Sequence, residues 1–114
     1  MSDKGMEWLE ANIENAIKGL DLIVEQMFEQ LRIPNRLAMV LLLQREGRKH
    51  LGELKDELCL SRELVARHEK ALEKWGIVSS KLDTAPEGYP AVYVRYVELT
   101  PIGTRMLECL EAEE

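Results

Sequence analysis

The sequence predicts a mainly helical protein with one small β-hairpin near its C-terminal end. Three observations lead there. Apolar residues recur at helical spacing through the first two thirds of the chain; the period drops to two between residues 77 and 99; and helix-starting and helix-stopping residues stand at the joins. At 114 residues the chain has the length of one ordinary domain, and 46% hydrophobic with 32% charged residues is a globular composition.

The elements follow in order. Met6, Leu9, Ile13, Ile17, Leu20, Val24, Met27 and Leu31 fall three or four residues apart and make one stripe of a long amphipathic helix over residues 1–33. Such a helix reaches roughly 40 Å, longer than a compact domain of this size can cover, so the stripe is expected to form a dimer interface with a second copy rather than fold back over its own domain. Pro34 suits the first turn of a second helix, where its missing N–H costs nothing, and Leu37 to Leu43 is apolar on nearly every side. That helix should end near Gly47. Arg48-Lys49-His50 reads as a short basic connector, Leu51, Leu54 and Leu58 as the inner side of a third helix, and Leu58-Cys59-Leu60 as a turn.

Ser61 is a good N-cap for the next helix, Arg62 to Trp75, because its hydroxyl accepts an otherwise unpaired backbone N–H; Gly76 can take the left-handed conformation that closes it. Ile77 and Val78 open a strand, residues 83–90 supply turn chemistry, and Val92 to Leu99 alternates back. Thr100-Pro101 caps a last helix, and residues 111–114 form an acidic tail. On this reading residues 34–110 form one folded domain behind the N-terminal helix. Helix, helix, turn, helix, hairpin, helix is the order of a winged helix-turn-helix.

At this point particular residues resemble a family. Leu60-Ser61, Val65, Arg67-His68, Leu72-Glu73 and Gly76-Ile77-Val78 stand where ArsR/MarR-type transcriptional regulators carry similar residues in the second helix of their motif. Glu53-Leu54 opens the helix before it, and Leu99-Thr100-Pro101-Ile102-Gly103 closes the wing. The resemblance covers residues 34–110, and it implies a homodimer that reads double-stranded DNA through the helix Arg62–Trp75.

With Leu64, Val65, His68, Leu72 and Trp75 turned inward, helical spacing leaves Arg62, Glu63, Ala66, Arg67 and Lys70 outward. Arg62 and Arg67 are the first candidates for DNA contact, since a guanidinium grips guanine or phosphate through two parallel bonds. Lys70 suits phosphate, Ser61 and the helix N-terminus offer N–H groups, and Arg48, Lys49 and Lys81 extend the footprint. Three features depart from the family pattern. Glu69 replaces an apolar residue, so Ala71 is expected to take over some packing. The wing tip carries Asp83 and Glu87 and no arginine, and Glu63, Glu69 and Glu73 dilute the helix's positive charge.

Charge is unevenly placed. The net value of -6 resolves into -5 over residues 1–31, +2 over 32–104 and -3 over 105–114. An acidic winged helix also suits protein–protein docking in a larger assembly, which is the alternative reading.

The remaining expectations are negative. Cys59 and Cys109 are far apart with no CxxC, so both are expected to be reduced and partly buried, with no disulfide and no metal site. Glu57-Leu58-Cys59 is similar to a metal-sensing ArsR motif, but Ser61 stands where that motif has its second cysteine, and a single thiol cannot form the site. His68 fits a hydrogen-bonded core residue. No nucleophile–base pair, phosphate-cradling glycine loop or cofactor signature is present, so no enzymatic activity is expected. No window reaches the apolar length of a membrane span and no signal peptide is read, so a cytoplasmic location is expected. No pattern points to a particular small-molecule effector.

Overall fold

The computed structural model describes the backbone of residues 3–112 and the side chains of residues 12–112. Five helices and a three-stranded antiparallel sheet follow one another: α1 (Asp3–Gln30), α2 (Pro34–Glu46), β1 (Lys49–His50), α3 (Leu51–Leu58), α4 (Arg62–Lys74), β2 (Val78–Thr84), β3 (Tyr93–Leu99) and α5 (Pro101–Ala112). The fold is a winged helix-turn-helix, mainly helical, with β2 and β3 as the wing.

Local chemistry explains where the elements begin and end. Ile33 is the N-cap of α2 with Pro34 behind it, and Gly47 closes that helix at φ +83°, its N–H reaching Leu43 O. Ser61 Oγ accepts the N–H of Leu64 at 3.2 Å, as an N-cap should. At the other end of α4, Gly76 N–H reaches Glu73 O and Ile77 N–H reaches Leu72 O, the paired bonds of a left-handed helix stop. The helix itself ends at Lys74, with Trp75 as its C-cap.

The core lies where α2, α3, α4 and α5 meet the inner ends of the strands. Met39 and Val40 of α2, Leu54 of α3, Val65 and Leu72 of α4, Ile77, Val97 and Leu107 are buried together. Each large aliphatic side chain removed from water here contributes roughly 1.5–3 kcal/mol.

Four expectations are corrected. Arg48-Lys49-His50 is not a free connector: Lys49 and His50 form β1, paired with Val97 and Tyr96 of β3, so the sheet runs β1-β3-β2. Leu31, expected on the dimer stripe, is only 2% exposed, because the chain turns after Gln30 and carries it into the core; Met27 packs partly against the same core. Both cysteines are exposed. Cys59 is the left-handed C-cap of α3, at φ 54°, and Cys109 lies on the outer face of α5. Finally, Glu69 is buried at 3% exposure while Ala71 is only half-buried, so α4 keeps the carboxylate inward instead of rotating it out.

α1 stands apart from this body. Ile13, Ile17, Leu20 and Val24 are exposed along it, at 57%, 52%, 60% and 46%, and the molecule measures 71 × 32 × 22 Å because this helix projects. The side chains of Met6 and Leu9 lie outside the described residues. No helix among the described residues is long and apolar enough to cross a membrane.

Candidate nucleic-acid interface

The exposed side of α4 carries the charges that sequence spacing places there. Arg62, Glu63, Arg67 and Lys70 are exposed and Ala66 half-buried, whereas Val65, His68 and Leu72 are buried. No hydrogen bond or salt bridge among the described residues occupies the guanidinium of Arg62 or Arg67 or the ammonium of Lys70. His68 is fixed from within: Arg36 Nε–H donates to its Nδ1 at 3.1 Å, and Arg36 also donates to Gln30 Oε1. Burial, with Arg36 and Arg67 nearby, holds His68 below the usual imidazole range, so it is a neutral acceptor at pH 7.

A groove of about 250 Å³ opens beside the first turn of α4, between α3 and the wing. Lys55 of α3, Arg62 of α4 and Arg95 of β3 line it, together with His50, Gly52 and Tyr89. Three cations from three elements therefore border one concavity. Its wall is built by His50, which caps α3 through a reciprocal pair of bonds with Glu53 and meets the rings of Tyr89 and Tyr96 edge to face at 5.0 and 5.9 Å. Gly52 leaves the space that Tyr89 fills: a Cβ at that position would lie 2.9 Å from the Tyr89 hydroxyl. The loop between β2 and β3 is thus drawn back onto α3, with Gly88 at φ +84° in its turn.

The other basic residues named from sequence are placed differently. Lys49 has a side chain only 10% exposed and is bonded to Glu46, Glu53 and Glu57 at 3.2, 3.7 and 3.1 Å. Its pKa is raised by the hydrogen bond to Glu57 and, less, by Glu46, against the opposing effect of burial. That ammonium is already neutralised inside the body. Arg48 lies over the Tyr96 ring at 4.1 Å and pairs with Asp83 at 3.0 Å. Asp83 belongs to β2 rather than to the tip, and the Thr84 N–H, followed by Arg48, keeps its pKa low. Lys81 is exposed on the same strand.

Sequence spacing does not single out Lys55 or Arg95 as site residues. Lys55 sits in the helix before the motif and Arg95 on the wing's second strand, and only the tertiary arrangement brings them beside Arg62. The alternation of Val94, Arg95 and Tyr96 is the one local sign that Arg95 faces outward. Among the described residues no three His, Cys, Asp or Glu side chains converge as metal ligands.

No protein-family model matches this chain, and no curated protein does. Solved structures do match. The chain is similar to a transcriptional regulator homologue from Pyrococcus horikoshii OT3, at a TM-score of 0.61 and 22% identity, over 79% of this chain and 91% of that one. It is similar to the homodimeric winged helix-turn-helix DNA-binding domain of a possible ArsR-family transcriptional regulator from Mycobacterium bovis, at 0.62 and 16%, over 98% and 85%. A MarR family regulator from Neisseria meningitidis aligns at 0.56 and 18%, over 90% and 70%. The shared property at these identities is the fold, a winged helix-turn-helix.

Proposed function

We propose that this chain is a homodimeric, DNA-binding transcriptional regulator that reads duplex DNA through α4. The observation that carries the reading is the set of cations gathered on one side of the molecule, of which Arg62, Arg67 and Lys70 are unpaired among the described residues while Lys55 meets Asp56 and Arg95 donates to Ser80. Arg62, Arg67 and Lys70 face outward from the helix, and Lys55 and Arg95 flank Arg62 across the groove. Seated in a major groove, Arg62 and Arg67 reach base edges or phosphate, and Ser61 with the N-terminal N–H groups of α4 meets the backbone. Glu63 and Ala66 lie on the same surface. Arg48 and Lys81 extend the footprint towards the wing, and Lys49 has no part in it. The dimer is formed by the exposed stripe Ile13, Ile17, Leu20 and Val24, continued by Met6 and Leu9, and would set two copies of α4 about 34–36 Å apart along DNA.

The test is a salt titration of the full chain against mixed-sequence duplex. Affinity is expected to fall steeply as salt rises, and Arg62→Ala or Arg67→Ala should each weaken binding by roughly 1–3 kcal/mol. Absence of binding at low salt would reject the reading and favour protein docking on the same face.

A further inference from the structure

Glu69, next to the buried His68, is an acidic side chain packed on the inner side of α4 without a role in the proposed interface. The residue is only 3% exposed, and its Oε1 has no hydrogen-bond partner among the described residues. One turn further on stands Glu73, whose Oε1 accepts the Ser80 hydroxyl at 3.2 Å; the Ser80 Oγ in turn accepts an N–H from Arg95 Nη1 at 3.0 Å. A short polar chain, Glu69–Glu73–Ser80–Arg95, therefore runs from the buried side of α4 across β2 to the wing strand β3. It ends on a guanidinium that lines the same groove as Arg62 and Lys55.

The charged groups acting on Glu69 are few. Burial raises its affinity for a proton most and Glu73 on its own helix adds to that, whereas Arg95 from the wing and Lys70 from α4 oppose it; together they bring the group to about pKa 7. Protonated Glu69 is neutral and leaves Arg95 on the wing's outer side. Once the proton is lost, a buried carboxylate faces the exposed one of Glu73, and Arg95, already tied toward Glu73 through Ser80, is the wing cation that can compensate them.

We propose that Glu69 is a proton-operated control on DNA binding: in its neutral form Arg95 is held only through the Ser80 hydroxyl and remains at the groove for phosphate, and in its ionised form Arg95 is drawn to the Glu69–Glu73 pair and withdrawn from the groove. This rests on the DNA-binding reading above and adds its regulation. Glu69 takes up a fraction of a proton per subunit as DNA binds, so the complex is favoured by acid within the physiological range.

The experiment is fluorescence anisotropy of the full-length protein with a mixed-sequence duplex from pH 6 to 8.5 at fixed ionic strength. A carbon-13 NMR titration of the Glu69 carboxyl without DNA accompanies it. Affinity is expected to be about tenfold weaker at pH 8 than at pH 6, as one unit of pKa difference between free and bound protein requires. Glu69→Gln should bind at the pH 6 level throughout, and Glu73→Gln should move the midpoint to lower pH. A carboxyl midpoint near 4.5, or wild-type pH dependence persisting in Glu69→Gln, overturns the switch. If DNA fails to bind at every pH, the regulatory reading fails with the function, while the carboxyl titration still decides whether the group is poised.

Discussion

His68 and Glu69, adjacent in sequence, pull stability in opposite directions as pH changes. His68 binds a proton less readily folded than unfolded, so its contribution is present above about pH 6.5 and is lost as pH falls below that value towards the lowered folded one. Glu69 binds its proton more readily when folded, from 4.5 up to about 7, so stability falls as pH rises across that window and stays lower above it. Glu69→Gln is therefore expected to raise unfolding free energy at pH 8 by on the order of 2–3 kcal/mol and to leave it nearly unchanged at pH 4. Urea denaturation at the two pH values reads the difference, and equal gains at both would discount ionisation as the cause. Cys59 offers a second check at this scale. It holds a left-handed conformation that a side chain resists, so Cys59→Gly should stabilise the fold by roughly 0.5–1 kcal/mol.

At the scale of elements, the segment Leu99-Thr100-Pro101-Ile102-Gly103 shows how much sequence can disclose. Thr100 Oγ1 donates to Gly76 O and Ile77 O, at 2.6 and 2.9 Å, and accepts the Gly103 N–H at 3.0 Å, so one hydroxyl ties the end of α4 to the start of α5. Gly103 is required because α5 crosses directly over the chain leading into β2: a Cβ there would lie 2.3 Å from Ile77 O. Gly103→Ala must push the helix away and should cost roughly 1–3 kcal/mol in thermal or urea unfolding, with little effect on the charges exposed on α4. Helix starts and stops of this kind are legible because Ser61, Gly76 and Thr100 act on backbone groups that local chain geometry brings to them. β1 is not legible, since its two residues become a strand only when Val97 and Tyr96, far along the chain, come alongside. The same holds for Glu69, whose burial comes from the packing of α4 against distant parts of the chain rather than from its place in the sequence. Lys49→Ala separates site from scaffold: it should lower the melting temperature by a few degrees and leave DNA affinity unchanged, because the buried ammonium is already engaged by Glu46, Glu53 and Glu57.

The whole molecule is more extended than its length requires. A compact chain of this size has a radius of gyration of about 13–14 Å, whereas this one has 19.1 Å, and the excess is α1. A helix of 28 residues, with an apolar stripe that its own body leaves bare, is the strongest support for association. Light scattering of the full chain is expected to give twice the monomer mass. Ile17→Glu combined with Leu20→Glu should give the monomer and reduce DNA affinity at least tenfold, because only one α4 then engages the duplex. A full chain that scatters as a monomer would remove both the dimer and the half-site spacing.

The same bare helix divides the order in which the protein assembles. Everything from α2 to α5 can reach its packed state within one chain, so that step proceeds at a rate independent of dilution. The stripe on α1 finds no cover there, so in the proposed dimer its burial waits for a collision and follows second-order kinetics. Refolding from denaturant should thus show a fast phase unaffected by protein concentration, followed by a slower phase whose rate rises in proportion to it.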